Sequence, residues 1–175
     1  MKAAVLRGTQ QIVVEDVPDP KPGPNEVLVK IKYSAICGSD VHRFQYGMAN
    51  PGSILGHEYT GEVVETGSSV TALRVGDRVV SGGGTPPVGS VVRDARSDRY
   101  SARTVGLETK MSGGFVEYVA VDEWRPLRIP NVVSDELAVL AEPASIAVHA
   151  VRTSKFKIGD AAVVLGAGPI GLLVM

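Results

Sequence analysis

Three residues carry side chains that could bind one metal ion: Cys37, His57 and Glu142. A thiolate and an imidazole suit Zn²⁺, and a carboxylate would complete three protein ligands with a fourth position left open. An open fourth position is typical of a catalytic zinc site rather than a structural one. A lone cysteine is, however, usually a small buried apolar residue, and a spacing of 20 residues between Cys37 and His57 is weak evidence. On these residues alone, both interpretations stay open.

A glycine-rich turn near the end of the sequence predicts a phosphate-binding site. Gly166, Gly168 and Gly171 form the pattern Gly-x-Gly-x-x-Gly, between the apolar run 161–165 and a second apolar stretch. A strand, a glycine turn and a helix in this order hold the pyrophosphate of a dinucleotide. The acidic residue that binds the ribose would lie about 20 residues further on, beyond Met175, so NAD and NADP both remain candidates.

The elements that must position these residues are mostly short strands. Twenty glycines and 11 prolines in 175 residues favour strands joined by tight turns. Residues 26–35 alternate, with Val27, Val29 and Ile31 on one face. Many short strands at close spacing predict a mainly β, barrel-like fold with peripheral helices. The other predicted strands are 2–6, 11–17, 59–65, 77–80, 114–121 and 161–165.

Helical signals begin late in the chain. Ser134 is an N-cap candidate, and the two carboxylates that follow it would lie where the helix dipole favours negative charge. Pro143 fits the first position of a second helix, along which His149 is expected to pack among apolar residues. The change from β to α/β character divides the chain into a first domain, residues 1–150, and the start of a second, residues 151–175.

The composition excludes several classes of partner. The net charge is −1 and the basic residues are scattered, so the sequence predicts no nucleic-acid or membrane partner. A single cysteine excludes an intramolecular disulfide and fits a reducing compartment. No apolar stretch reaches the roughly 18 residues of a membrane span, and the first residues lack the apolar core of a signal peptide. The sequence therefore predicts a soluble, cytoplasmic protein.

Longer stretches around the candidate ligands carry a family resemblance. Residues 56–70, which begin Gly-His-Glu, resemble the signature of the zinc-containing medium-chain alcohol dehydrogenases, and residues 37–42 resemble their cysteine-ligand loop. Residues 76–79 and 113–118 are similar to two more landmarks, and Glu142 and the glycine turn follow in the family's order. The resemblance covers essentially the whole chain. It implies a GroES-like β-barrel catalytic domain, followed by only the first strand and helix start of a Rossmann domain.

The resemblance implies roles for individual residues. Cys37 and His57 would bind the catalytic zinc. A glutamate at 142, where the alcohol dehydrogenases proper have a second cysteine, is more similar to the polyol (sorbitol-type) and threonine dehydrogenase branches. There Glu58 is the rival third ligand, and we expect Glu58 and Glu142 to exchange or share that position. Asp40 would accept a hydrogen bond from the non-ligating ring nitrogen of His57; its alternative is a turn-capping role.

The resemblance also implies a reaction. A secondary alcohol, such as a polyol, a diol or a threonine-like amino alcohol, would form an alkoxide on the zinc and pass a hydride to NAD or NADP, giving a ketone. Ser39 would receive the proton and His42 would pass it towards solvent; the alternative for His42 is a plain surface histidine. The full-length parent is expected to be a homo-oligomer.

The sequence also departs from the family. Residues 81–112 contain no cysteine, so the four-cysteine structural zinc of many relatives is excluded and this lobe is predicted to be mobile or reorganised. From Ala161 only 15 residues remain, fewer than the roughly 30 of one βαβ unit, which predicts a truncated chain that is inactive alone. The main alternative is a non-catalytic GroES-like interaction module in which Cys37 and His57 no longer bind metal. A Cys–His hydrolase and a zinc-free quinone reductase are less favoured.

Overall fold

The computed structural model describes residues 1–82 and 113–175. The prediction that the lobe 81–112 is mobile or reorganised concerns residues that lie almost entirely outside these ranges. In the described ranges the strands are β1 (Lys2–Gly8), β2 (Gln11–Asp16), β3 (Glu26–Ala35), β4 (Glu58–Thr66), β5 (Arg78–Ser81), β6 (Tyr118–Asp122) and β7 (Pro126–Arg128). The helices are α1 (Gly38–Tyr46), α2 (Asp135–Ala138), α3 (Ala141–Thr153) and α4 (Pro169–Val174). The prediction of a mainly β fold is confirmed.

The larger sheet is antiparallel and has the order β6-β3-β4-β5-β7, while β1 and β2 form a separate hairpin. The alternation predicted for β3 is present: Val27 and Val29 are fully buried, because one face of the strand covers the core. The hairpin joins the rest of the fold through bridges from Ala3 to Val116 and from Val5 to Ile54. These contacts hold the segment before β4 in place.

Helix α1 was not predicted, because the helical signals recognised in the sequence begin only at Ser134. Cys37 is its N-cap residue and Asp40 lies at the third helical position, where its carboxylate accepts a hydrogen bond from the Cys37 N–H at 3.1 Å. Gly47 ends the helix in the left-handed region, at φ 64°, which is the usual helix-terminating role of glycine. The start of α1 therefore fixes the backbone of the candidate cysteine ligand.

The two helices after β7 differ from expectation in detail. Ser134 caps α2 as predicted, since its Oγ accepts a hydrogen bond from the Leu137 N–H at 3.3 Å. Helix α3 begins two residues before Pro143, which is tolerated because a first-turn N–H has no partner within the helix. The prediction that His149 packs among apolar residues is wrong: His149 is exposed, and the buried residues of α3 are Pro143 and Ala147.

The last fifteen residues form only part of what was predicted. Residues 161–165 are not a strand and stay exposed, because no described strand pairs with them. The glycine turn and α4 do form after them. Among the described residues, no helix has the length and apolar character that crossing a membrane would require.

Candidate metal centre

Cys37, His57 and Glu58 form a cluster in which one ligand atom from each residue lies within 4.8 Å of the others. The Glu58 side chain is buried, and Cys37 and His57 are partly buried. A thiol, an imidazole and a carboxylate are the donors that zinc prefers, and ligands of one tetrahedral zinc stand about 3–4 Å apart. The types of these three donors and their closeness to one another fit a zinc ion.

Pairing between β3 and β4 brings the ligands together. Ala35, at the end of β3, lies opposite Glu58, the first residue of β4. Cys37 follows Ala35 by two residues and His57 precedes Glu58 by one, so the antiparallel register places both segments at the same edge of the sheet. Residues 20 apart in sequence thus become neighbours.

Gly56 sets the direction in which the chain enters β4. Its φ is 91°, a value that side chains other than glycine's rarely adopt. A Cβ atom at this position would lie 2.8 Å from the ring of Phe115. The Gly56 N–H also donates a hydrogen bond to Oδ1 of Asp40 at 3.2 Å. The glycine therefore allows a close approach that fixes the backbone next to His57.

Asp40 links the two ligand-bearing segments. It is 2% exposed; Oδ2 accepts from the Cys37 N–H at 3.1 Å and Oδ1 accepts from the Gly56 N–H. Oδ1 lies 3.7 Å from Nδ1 of His57, an ion-pair distance that is longer than a direct hydrogen bond. Burial raises the pKa of Asp40, but its interactions with His57 and the two backbone N–H groups outweigh this, and the net pKa is lowered. The Asp40 carboxylate therefore stays ionised next to the segments that carry Cys37 and His57.

The imidazole of His57 is oriented by its surroundings. Its Nδ1 faces Asp40, and its Nε2 is buried, on the side available to a metal. The interaction with Asp40 raises the pKa of His57; burial opposes this, and the charges of Glu142 and Glu58 add to the increase. The negative field that raises this pKa also favours a divalent cation, because both are positive charges at the same place.

Glu142 occupies a different place from the other predicted ligands. It is the second residue of α3, is partly buried, and is close enough for its charge to act on His57. Its carboxylate is not part of the mutual cluster of Cys37, His57 and Glu58. The structure thus brings three of the four predicted metal ligands together and leaves the fourth beside them.

Comparison with known proteins shows which family the chain matches. Residues 23–131, more than half of the chain, match the family described as the alcohol dehydrogenase GroES-like domain. The chain belongs to this family. The resemblance to the zinc-containing medium-chain alcohol dehydrogenases is thereby confirmed, and so is the GroES-like character of the mainly β fold.

Individual relatives are diol, polyol and amino-alcohol dehydrogenases. The chain is 38% identical to a sorbitol dehydrogenase of Halalkalibacterium halodurans, over 99% of this chain and 52% of the relative. It is 40% identical to an L-threonine 3-dehydrogenase of Rhizobium etli, over 91% of this chain and 48% of the relative. The crystal structure of 2R,3R-butanediol dehydrogenase from Bacillus subtilis superimposes with a TM-score of 0.80 at 38% identity, over 99% of this chain and 53% of that one. The chain spans about half the length of the curated relatives it matches.

The proposed proton-relay residues of this dehydrogenase-family chain lie on α1. The Ser39 hydroxyl is buried and has no hydrogen-bond partner in the described part of the chain, which is unusual for a buried polar atom. His42 is exposed, and its ring lies 5.8 Å from that of Tyr46. Residues three apart are neighbours on a helix surface. Helix α1 therefore places the buried hydroxyl of Ser39 near the exposed imidazole of His42.

The three glycines of the predicted phosphate-binding motif form a tight turn at the start of α4. Gly166 has φ 109°, Gly168 is the N-cap of α4, and Pro169 follows as the first helical residue. A Cβ atom on Gly171 would lie 1.9 Å from the carbonyl oxygen of Gly166, so only glycine fits there. This is the close packing for which the third glycine of the motif is needed. The turn fits a dinucleotide pyrophosphate.

One charged neighbour of the site was missed by the sequence reading. Arg43 lies on α1, and its guanidinium is 3.9 Å from the carboxylate of Asp40, with about a fifth of the side chain exposed. An aspartate and an arginine three residues apart on a helix are a recognisable pair. The signal depends on knowing that residues 38–46 are helical, so it could not be used without α1.

Proposed function

We propose that this chain carries the catalytic zinc site of a dehydrogenase that oxidises a secondary alcohol to a ketone with NAD or NADP. The cluster of Cys37, His57 and Glu58 is the observation that carries the proposal, because a dehydrogenase zinc needs three protein ligands and an open position. We propose that Glu142 exchanges or shares the carboxylate position with Glu58; the effect of its charge on the pKa of His57 supports this. One zinc per chain is proposed, with no structural zinc, since Cys37 is the single cysteine.

The chain's own residues would bind the metal, orient its ligands and move a proton. Bound zinc lowers the pKa of an alcohol hydroxyl, and the nicotinamide accepts a hydride. Asp40 holds His57 with Nδ1 turned away from the metal side, as expected for a carboxylate behind a metal-binding imidazole. The Ser39 hydroxyl would accept the proton of the substrate hydroxyl while it gives its own proton towards His42, and the His42 imidazole would release a proton to solvent. The buried hydroxyl of Ser39 and the exposed ring of His42 support this order.

The substrate class is argued from the relatives. Relatives with about 40% identity are named for sorbitol and threonine, and a similar structure is named for a butanediol. Each of these small molecules has a secondary hydroxyl next to a second hydroxyl or an amine. We therefore propose a polyol, diol or threonine-like substrate, and a homo-oligomeric parent protein in which Gly166, Gly168 and Gly171 bind the dinucleotide.

The 175 residues alone are proposed to bind zinc without turnover. Hydride transfer needs a nicotinamide held against the substrate, and the described residues supply only the glycine turn and α4 of such a site. The first domain, residues 1–150, contains every proposed metal ligand. Residues 151–175 contribute the start of the nucleotide domain.

Zinc content per chain tests the proposal. The protein should hold close to one zinc after reconstitution and dialysis, and His57→Ala should lose it. His149→Ala is the matched control, because His149 is an exposed histidine on α3, away from the cluster. Retention of zinc by His57→Ala, or no zinc in the unmodified protein, would contradict the proposal and favour the non-catalytic interaction module.

A further inference from the structure

We propose that the open edge of strand β2 pairs with the same edge of a second copy of this chain, in an antiparallel arrangement with a two-fold axis at Val13. The inference rests on the homo-oligomer that is part of the function proposed above, and it names the surface that forms this oligomer. The surface lies on the hairpin β1–β2 and includes none of the clustered residues Cys37, His57 and Glu58. It can therefore be tested separately from the metal centre.

Only one edge of β2 is used within the described ranges. Strand β2 pairs with β1 and with no other described strand. Strand β1, by contrast, uses both of its edges. The N–H of Ala4 donates to the carbonyl of Phe115 at 2.9 Å, and the N–H of Leu6 donates to a second segment, at the carbonyl of Ser53, also at 2.9 Å. The second edge of β2 is thus an open row of backbone donors and acceptors, which can template pairing with another strand.

The hairpin register shows which residues of β2 point their backbone groups to the open edge. Met1 and Val17 exchange two hydrogen bonds of 2.9 Å, so they form a hydrogen-bonded pair. Hydrogen-bonded and non-hydrogen-bonded pairs alternate along an antiparallel ladder, and the register is unbroken from Asp16 to Ile12. The N–H and C=O groups of Ile12, Val14 and Asp16 therefore point away from β1.

The open edge is apolar and lacks the usual protection. Ile12, Val13 and Val14 are 41%, 47% and 69% exposed. Natural edge strands are commonly protected by a lysine, a proline or a bulge. Strand β2 contains neither lysine nor proline, and the register shift of the hairpin lies at its turn rather than along the strand. This edge therefore favours pairing with another strand.

The residues of β2 complement a second copy of the same strand. Residues that point to the open edge must face each other, so Ile12 of one copy would face Val14 of the other, with Val13 against Val13 at the two-fold axis. Each Ile12–Val14 pair would exchange both backbone hydrogen bonds. The same register places Gln11 opposite Glu15, an amide opposite a carboxylate, and it opposes no like charges.

Neighbouring two-fold registers fit less well. Moving the axis to Val14 would place Asp16 opposite Ile12, a carboxylate against an apolar side chain. Moving it to Ile12 would place Val14 opposite Gln10, which lies outside the strand and has φ of 59°. Strand β2 thus complements itself best in one register, because the pattern of apolar residues fixes which residues face each other. This self-complementarity points to a second copy as the partner.

The first experiment is sedimentation velocity on the 175-residue protein over a range of concentrations. The unmodified protein should form a dimer as its concentration rises. Val13→Lys should lose the dimer, because it places two like charges opposite each other at the axis. Val14→Pro should also lose it, because proline removes an N–H from the open edge but no hydrogen bond to β1.

Two controls separate this edge from other exposed apolar residues. Val132→Lys makes the same substitution at a valine that is 94% exposed, in the turn after β7. Leu165→Lys changes a leucine that is 93% exposed, near the glycine turn. Both variants should dimerise like the unmodified protein. A dimer that Leu165→Lys dissociates and Val13→Lys leaves intact would overturn the inference.

Cross-linking tests the register. Val13→Cys is made in a Cys37→Ser background, so that the new thiol is the only one. Facing residues of a non-hydrogen-bonded pair have Cα atoms about 4.5 Å apart, a distance that a disulfide can span, so mild oxidation should give a covalent dimer. Ile12→Cys in the same background should not cross-link, because the two Ile12 positions are displaced by about 7 Å along the strands.

The outcomes separate the inference from the proposed zinc function. Zinc content should be the same in the unmodified protein, Val13→Lys and Val14→Pro. A dimer with no zinc would contradict the zinc proposal and leave this inference standing. A monomer at all concentrations, or equal cross-linking of Ile12→Cys and Val13→Cys, would overturn the inference and leave the zinc proposal standing. If Val13→Lys or Val14→Pro does not fold, the cross-linking pair decides the question.

Discussion

Removing the charge of Asp40 should damage both the stability and the metal affinity of this protein. Asp40→Asn keeps the size of the side chain but leaves one oxygen where there were two acceptors. The N–H groups of Cys37 and Gly56, at 3.1 and 3.2 Å, then compete for that oxygen. The other N–H would face an amide nitrogen that can only donate, and Asp40 is 2% exposed, so water cannot easily replace the lost acceptor.

The size of the effect follows from these contacts. A buried N–H left without an acceptor costs about 1–3 kcal/mol, and hydrogen bonds to a charged group contribute about 1.5–3 kcal/mol. We expect Asp40→Asn to lower the free energy of unfolding of the zinc-free protein by about 2–4 kcal/mol. Zinc affinity should fall about 10- to 100-fold, since His57 loses the carboxylate 3.7 Å from its Nδ1.

Two assays on one set of proteins measure this. Urea unfolding of chelator-treated protein gives the stability, and competition with a chelator gives the zinc dissociation constant. Asp16→Asn is the control, because Asp16 is an exposed partner of Lys2 on the hairpin; neither quantity should change measurably. If Asp40→Asn behaved like Asp16→Asn in both assays, the role assigned to Asp40 in stability and metal binding would be refuted.

Three further predictions test other parts of the structure. Gly56→Ala should lower the urea midpoint more than Gly76→Ala: φ is near +90° at both, but the new Cβ would meet the Phe115 ring at 2.8 Å only at position 56; equal losses would contradict this. Burial raises the pKa of Asp77, but its hydrogen bonds and ion pair hold it below 3.8, so its stabilisation is present above pH 3.8 and is lost as the pH falls through the folded pKa; acid unfolding curves of Asp77→Asn should lack this component. Burial raises the pKa of Tyr59 to about 12, so stability should fall as the pH rises above 10, and Tyr59→Phe should remove a late-ionising phenol from the ultraviolet titration.

The sequence predicted where the strands lie better than it predicted which strands pair with each other. Alternation in residues 26–35 is a local property of one strand, and β3 forms where it was expected. The pairing of Ala35 with Glu58 is not local, because it depends on which strands meet and in which register. The meeting of Cys37 and His57 was therefore inferred from a family resemblance, and its physical cause became visible only with the sheet.

Helix α1 shows how a signal can be present and still be missed. Serine, threonine, aspartate and asparagine are the usual N-cap residues, whereas the N-cap of α1 is Cys37. The acid at the third helical position, Asp40, and the glycine at the end, Gly47, were both in the sequence. They carry little weight alone, because an aspartate after Gly-Ser also fits a turn. The hydrogen bond from the Gly56 N–H to the Asp40 carboxylate is a tertiary contact that stabilises the start of the helix.

The sequence left open whether Glu58 or Glu142 is the third metal ligand. His57 and Glu58 are adjacent, and adjacent residues of a strand point to opposite faces, which would argue against both binding one ion. His57, however, lies just before β4, after a glycine with φ 91°, so the strand alternation begins only at Glu58. Both side chains can therefore turn to Cys37, while the carboxylate of Glu142, in the first turn of α3, lies outside this cluster. The closeness of Glu58 to Cys37 and His57 thus depends on a backbone dihedral just before the strand, which cannot be read from residue types or spacing.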